Sequence, residues 1–504
     1  MGNTVIAGSF APVTSPSGRT VVEPQKDLPV ADEVDVIVAG AGIAGLFAAL
    51  AAGQNGATTI LIERLGLIGG NYGPGLGIRH DLWQHPSLDS SGLGGVVGRF
   101  LARLQEMGGI GRFAFTGGGD SKDWSWPGIH EFPTIDNEAF IYLALTMLRE
   151  AGVKVLVNTG VAGVIKDGNQ IRGLVVENRS GRQAMMARVV IDTTGDAEVA
   201  HHAGVPCTDA DKYGAGLFFQ VEGVDWPKFE KFRSDGKARP LSKQDQAFFD
   251  EIFTPALHDW RWPNFPRFMF PEIRQAWQSG EYRYVQDIDG LCAAYMVPFG
   301  THGQDLATVE GNPQGSVDPL DAGQMSLIQT RFRMYAYETV QFMRNHIPGF
   351  EQGRIRQIAS FLGSRHSRRI LAEHFLADDD VLDGRPFDDV VHRLTMLHTE
   401  TGALVDMKNK QEGQVYELPY RQLLPQNVDG LMAAGRSINP GKKPRLRTRW
   451  IAMLTGAIAG TAAAQAVQTK VTPKKLNVRD LQKKLLQDGF CLGDEDRLQE
   501  LGLA

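Results

Sequence analysis

The sequence predicts an α/β fold: a parallel sheet with a glycine-rich turn at its carboxyl edge, continued by a β-meander and interrupted by a second, α+β domain. Three observations predict it. Residues 34–64, VDVIVAGAGIAGLFAALAAGQNGATTILIER, read as buried strand, glycine turn, alanine-rich helix and second strand. From residue 153 the pattern changes to period two in VKVLVN, VAGVIKDG, IRGLVVENRSG and QAMMARVVIDTTGD, as expected of strands joined by tight turns. Residues 427–436, NVDGLMAAGR, return to a short buried strand after a long stretch of different character.

In the first unit each glycine has a steric task. Gly40 permits the tight turn, Gly42 lets backbone approach a pyrophosphate, and Gly45, next to Ala44, lets the helix pack closely on the sheet. The free amides at that helix start face the phosphates, and the helix dipole adds about 0.3–2 kcal/mol of attraction. Glu63, followed by Arg64, ends the second strand where an acid accepts hydrogen bonds from an adenosine ribose. These residues specify a Rossmann-like dinucleotide-binding unit.

Before that unit, residues 1–33 are rich in Pro, Ser, Thr and Val and read as an extended arm without the basic start and apolar core of a secretory signal. After it, Gly69 and Gly70 open GGNYGPGLGIRH, a loop too rich in Gly and Pro for regular structure. Helical periodicity returns at 96–107 and 137–151, the second with Phe140, Leu143, Ala144, Met147 and Leu148 along one face. The meander closes in Thr194-Gly195-Asp196, a polar turn at the carboxyl end of a strand, where ligands of open α/β sheets collect. This assigns 34–206 to the first part of the nucleotide domain.

Residues 207–412 form the second domain, with strands near 216–221 and 291–299 and the aromatic cluster Trp260, Trp262, Phe265, Phe268 and Phe270 serving either core packing or a substrate cavity. Residues 413–470 complete the nucleotide domain, and GAIAGTAAAQAV from Gly456 predicts a small-residue helix whose start approaches a bound ring. A charged amphipathic tail, 471–504, closes the chain.

The formal net charge of −6 and the lack of a long basic run disfavour nucleic acid as a partner. Cys207, Cys292 and Cys491 stand far apart, so there is no CxxC pair, zinc spacing or iron–sulfur ligand set, and so few thiols fit a cytoplasmic location. No metal is expected, because HExxH, Walker A, GxSxG and calcium-loop patterns are absent from the sequence. The apolar run at 450–467 carries Gly, Ala, Thr and Gln suited to packing inside a protein, so no membrane segment is expected. Oligomers are compatible with this composition.

With these pieces in place, the chain resembles the FAD-dependent oxidoreductases of the glutathione-reductase-like superfamily, whose relatives include the fumarate reductase and succinate dehydrogenase flavoproteins. The resemblance runs from residue 34 to the C-terminus on VDVIVAGAGIAG, LIERLGLIGG, VVIDTTGDAEVAHHAGVP, LGSRHSRRILAEHFL, YELPYRQLLPQNVDGLMAAGRSI and LRTRWIAMLTGAIAGTAAA. It implies a Rossmann-like FAD-binding domain with a discontinuous α+β substrate domain. By this resemblance Gly40, Gly42 and Gly45 hold the FAD pyrophosphate and Glu63 the ribose, Val161 contacts the adenine through its backbone, and Gly70 with Asn71 approaches the flavin. Gly195 and Asp196 fit the second cofactor turn, Gly435 with Arg436 the ribityl side, and Gly456 to Gly460, with Ala459, the helix aimed at the pyrimidine edge, where a helix amino end stabilises the negative charge of reduced flavin. The chain departs from the pattern at Tyr72 and Pro74, and at Lys442, Lys443 and Arg445, segments expected beside the reacting ring.

Arg365, His366, Arg368 and Arg369 crowd one element, read as a helix on which Arg365 and Arg369 share a face. They either pair with acids such as Asp378 to Asp380 or clamp an anionic substrate through the guanidinium fork, with His366 adding acid or base capacity. Arg447, before the small-residue helix, is the first candidate for a cation beside flavin or substrate. His80 and His85 follow the glycine loop as proton-transfer candidates, and His80 is also a conceivable covalent flavin link. The expected function is FAD-dependent hydride exchange between flavin N5 and a small organic substrate, anionic or aromatic, by a dehydrogenase or oxidase with an unassigned electron acceptor. The alternative is a flavin monooxygenase or reductase, and a different class is a flavin-binding RNA-modification protein or a noncatalytic flavoprotein.

Overall fold

β1 (Val30–Ala39) runs parallel to both β2 (Thr59–Ile62) and the strand Gly181–Asp192, so that Ala39 lies opposite Ile62 and Asp192 and three carboxyl ends come level. The computed structural model describes residues 27–77, 93–114, 131–208, 215–238, 242–252, 267–289, 291–295, 305–314, 317–364, 367–395, 415–438, 446 and 448–504. Two further strands, Lys154–Leu156 beside β2 and Leu431–Ala433 beside Gly181–Asp192, extend the sheet in parallel. The meander Gly160–Asp167, Gln170–Asn178 and Gly181–Asp192 is antiparallel, and its last strand is long enough to pair with the meander at its start and with Leu431–Ala433 at its end. Val36–Ala39 and β2 are buried on both faces, which is why they read as unbroken apolar runs.

Helix α1 (Ile43–Gln54) packs against the helix Arg449–Gln468 with almost no side chain between them. A Cβ on Gly456 would lie 2.1 Å from the carbonyl oxygen of Ala44, and one on Gly460 2.1 Å from that of Ala48. Small residues four apart share a helix face, so the two backbones touch over a full turn. This corrects the expectation that the helix begins near Gly456: it begins at Arg449, and Gly456 and Ala459 are buried inside it as packing positions. The helix is long and apolar enough to cross a membrane, yet 94% of its apolar window is buried inside the domain, so its hydrophobicity is met by protein.

The second core is built on an antiparallel sheet ordered Val285–Ile288, Leu291–Tyr295, Ala307–Gln314, Ala215–Glu222, Arg354–Ile358. The helix Ala322–His346 covers one face with Ile328, Phe332, Tyr335 and Val340. This core spans residues from Ala215 to Leu362 and also takes in Leu76, whereas Ile370, Leu376, Val391 and Leu394 pack in the first core. The second domain therefore ends near 362 instead of 412. The tail belongs to the first core through Leu481, Leu485, Phe490 and Leu492, and the arm gives way to β1 at Val30 rather than at 34.

The described part of the arginine cluster, Arg368 and Arg369, is not helical. Gly363–Ser364 pairs with Gly216 and Ala215 in the second sheet, and Arg369–Ile370 pairs with Thr208 and Cys207 beside the first domain. These two pairings tie the flanks of the cluster to strands of different domains, and at Arg369 strand pairing overrides the local helical spacing.

Gly456→Leu should force the two helices apart, because its side chain would start inside the van der Waals shell of Ala44. Overpacking of this kind costs about 3 kcal/mol. Thermal unfolding should show a clear loss of melting temperature, while Ala459→Gly, which removes only a methyl group, should melt much nearer the parent.

Candidate functional site

Three glycines line the first turn, and they differ in what they exclude. Gly40 has φ +97°, and a Cβ there would meet Thr193 O at 2.7 Å. A Cβ on Gly45 would sit 1.8 Å from Gly40 O. The Thr193 hydroxyl locks the turn by donating to Ala39 O and Gly40 O, both at 2.8 Å. Gly42 is different: its Cβ would meet nothing within 4 Å. The chain's own packing thus demands glycine at 40 and 45 but not at 42. Gly42 caps α1 with no side-chain hydrogen bond and leaves an open approach to the first amides of the helix, as an anion requires.

Glu63 closes this turn from below. Its Oε2 accepts from Ala41 N at 2.8 Å and its Oε1 from Leu65 N at 2.9 Å. A carboxylate oxygen has a second lone pair, so both remain able to accept from a ribose hydroxyl. Thr159 N donates to Glu63 O at 2.9 Å, which brings the start of the strand carrying Val161 alongside. Arg64 reaches across to Glu198 Oε1 at 3.0 Å and clasps the second turn.

That second turn is organised by Asp192, which is fully buried at the strand end. It accepts from Thr194 N (3.0 Å), Thr194 Oγ1 (2.7 Å) and Ala200 N (2.9 Å). Burial pushes its carboxyl above the ordinary range, with Asp196 adding repulsion. Ser437 Oγ accepts from Gly195 N and Ala197 N, joining the turn to the segment after Leu431–Ala433. Asp196 faces Arg436 at 2.9 Å, and its carbonyl accepts from Arg368 Nε at 3.1 Å. Gly195 leaves room for the Arg436 guanidinium, which a Cβ would approach to 2.7 Å, and Gly435 leaves room for Ala44 in the same way. Arg436 Nη1 is buried without a hydrogen-bond partner among the described residues.

The loop at 69–77 is the third wall. Gly69 N donates to Ala41 O at 2.8 Å, and a Cβ on Gly70 would lie 2.8 Å from Gly42 Cα, so the loop leans directly on the first turn. Asn71 Oδ1 accepts from Arg449 Nε, and the Arg449 guanidinium lies 5.4 Å from the centre of the Tyr72 ring. Tyr72 itself is fully buried in the first core against Phe140, so this departure from the family pattern serves packing.

The structure therefore brings together Gly40, Gly42, Ala44, Gly45, Glu63, Gly70, Asn71, Gly195, Asp196, Gly435 and Arg436. Arg368 belongs to the second turn, and among the described residues Asp380 pairs with Arg385 and His374. His80, His85, Arg365, His366, Arg447 and residues 442–445 lie outside the described residues. Sequence reasoning missed Asp192, Ser437 and Arg449. A lone acid closing an apolar strand signals the first, and the second arginine of LRTRW the last.

The amino-acid sequence matches the family of FAD dependent oxidoreductases over residues 35–485. The chain belongs to that family. It is an FAD enzyme, and the open approach at Gly42 together with the unpartnered Arg436 Nη1 fits the cofactor. Thiamine thiazole synthases of Methanococcus maripaludis strains C7 and C6 are 30% and 28% identical over 180 residues, which is 34% of this chain and 59% of theirs. The chain thus spans less than two thirds of these relatives' length. Among solved structures, a geranylgeranyl bacteriochlorophyll reductase-like protein of Thermoplasma acidophilum is 17% identical, with 91% of this chain and 84% of that chain covered at a TM-score of 0.42. The p-nitrophenol 4-monooxygenase of Pseudomonas putida DLL-E4 is 12% identical, with coverages of 93% and 86% and a TM-score of 0.42. At such TM-scores these likenesses carry no argument about the reaction.

Two measurements check this site. Gly42→Val should fold, with a melting temperature of the apoprotein close to the parent's, but lose bound FAD in absorbance at flavin wavelengths; Gly45→Val should fail to fold. Glu198, raised by burial with Arg64 opposing, gives a pH test. Its neutral form is favoured in the folded chain, so its stabilising effect is complete below its unfolded value and is lost as pH rises through the folded one. Glu198→Gln should therefore melt with the parent near about pH 4 and above it near about pH 8; the reverse order would refute the assignment.

Proposed function

We propose that this enzyme carries out a two-electron oxidation or reduction of a small organic substrate bound at the seam between its two cores. The carrying observation is the loop at 69–77, which leans on the first turn, takes Arg449 at Asn71, and enters the second core at Leu76. Bound FAD supplies reversible two-electron chemistry. The turn at 40–45 binds its pyrophosphate, Glu63 and the start of the strand at Val161 its adenosine side, and Gly195, Asp196 and Gly435 with Arg436 the middle of the molecule. Arg449 and the amino end of its helix supply positive potential beside Asn71. Arg368, whose Nε already holds the second turn, is assigned to the cofactor side and not to an anion clamp.

The kinship with fumarate reductase and succinate dehydrogenase flavoproteins, and a cytoplasmic location, are parts of this proposal that rest on sequence motifs and cysteine content. Two reaction types stand within it. Among the described residues one parallel dinucleotide unit is present, which supports an organic substrate as electron source, hence a dehydrogenase or oxidase. A flavin monooxygenase or reductase, which takes its electrons from a reduced nicotinamide, is the second.

Anaerobic mixing separates them. Bleaching of the flavin by an organic compound alone establishes the dehydrogenase or oxidase, and bleaching only by NADH or NADPH establishes the monooxygenase or reductase. A yellow protein that no donor bleaches is a noncatalytic flavoprotein, and copurifying RNA marks an RNA modifier. A colourless protein that cannot be reconstituted with FAD overturns the proposal.

A further inference from the structure

Tyr72 and Leu76 belong to different cores although they lie in one short loop. The chain between them crosses the seam, and both domains grip it. Asn137, the first residue of the helix Asn137–Glu150, is nearly fully buried. Its Nδ2 donates to Tyr72 O at 2.8 Å and to Gly77 O at 2.9 Å, so a single amide fastens the loop at two points. Its Oδ1 accepts from Gln220 Nε2 at 3.3 Å. Gln220 sits on Ala215–Glu222, a central strand of the second sheet, directly opposite Thr308. Thr308 is fully buried, and its hydroxyl has no hydrogen-bond partner among the described residues. On the loop's other flank Pro74 O accepts from Ser360 N at 2.8 Å.

We propose that Asn137 is a positioning residue that sets the loop at 69–77 against the flavin, and that Gln220 couples this loop to the substrate-domain sheet. The proposal rests on the reading of 69–77 as the flavin-side loop. Its chemistry is specific to a carboxamide: two N–H donors meet two carbonyls while the oxygen meets a third donor. Aspartate has the same shape and keeps the acceptor, but it would turn a carboxylate oxygen toward two carbonyl oxygens. Leucine at 220 keeps the volume and leaves the loop clamp whole, but it cuts the link to the sheet.

Asn137→Asp and Gln220→Leu are purified as FAD-loaded full-length chains. Their visible flavin absorption and their midpoint potential, titrated with dithionite against a redox dye, are compared with the parent's. Both variants should hold one FAD per chain and displace the flavin bands and the potential in the same direction, Asn137→Asp by more. A structural role alone would lower the melting temperature and leave spectrum and potential in place. Spectra and potentials that superimpose on the parent's in both variants overturn the proposal, and if Asn137→Asp does not fold, Gln220→Leu decides it alone. A parent chain that never takes up FAD would instead overturn the reading of the site itself.

Discussion

The backbone contact between α1 and the helix Arg449–Gln468 is the constraint on which the rest depends. The carbonyls of Ala44 and Ala48 occupy the space that side chains on Gly456 and Gly460 would need. Segments from opposite ends of the sequence are thereby joined without intervening side chains, and everything attached to them is brought into register. Gly435 is placed against Ala44, its amide donates to Thr455 Oγ1, and Arg449 at the head of the second helix reaches Asn71. A larger spacing would leave the first turn open on one side.

Around that contact, an apolar sheet ends in a polar rim. Strands buried on both faces stop at Ala39, Ile62 and Asp192, and the polar groups just beyond them are satisfied locally by Thr193, Asp192, Glu63 and Ser437. A buried polar group without a partner costs roughly 1–3 kcal/mol, so a rim of this kind persists only when nearly every atom is paired. Where an atom is left over, as at Arg436 Nη1, a ligand group has a donor waiting. The same economy explains Gly42, whose missing side chain serves no contact within the chain.

The seam between the cores follows a different logic. Tyr72 is committed to one core and Leu76 to the other, with Asn137, Gln220 and Ser360 closing the polar contacts between them. The loop beside the first turn is therefore held by both cores at once. Arg449 restrains the same loop through Asn71 from the opposite side.

The sequence by itself determined the βαβ unit at 34–64, the meander and the return strand at 431–433, because period and glycine spacing are local properties of the chain. It also determined the positions of Gly40, Gly45 and Glu63, whose roles follow from a turn that continues directly from a strand. Only the tertiary structure decided the rest. Arg369 sits in a run with helical spacing but lies in a strand, because it pairs with Thr208. The small-residue helix begins at Arg449 since its glycines mark the contact with α1 and not its amino end. The second domain closes near 362 because residues beyond it find their apolar partners in the first core. In each case the deciding interaction joins residues far apart in the sequence, and no local pattern encodes which distant partner will occupy a given face.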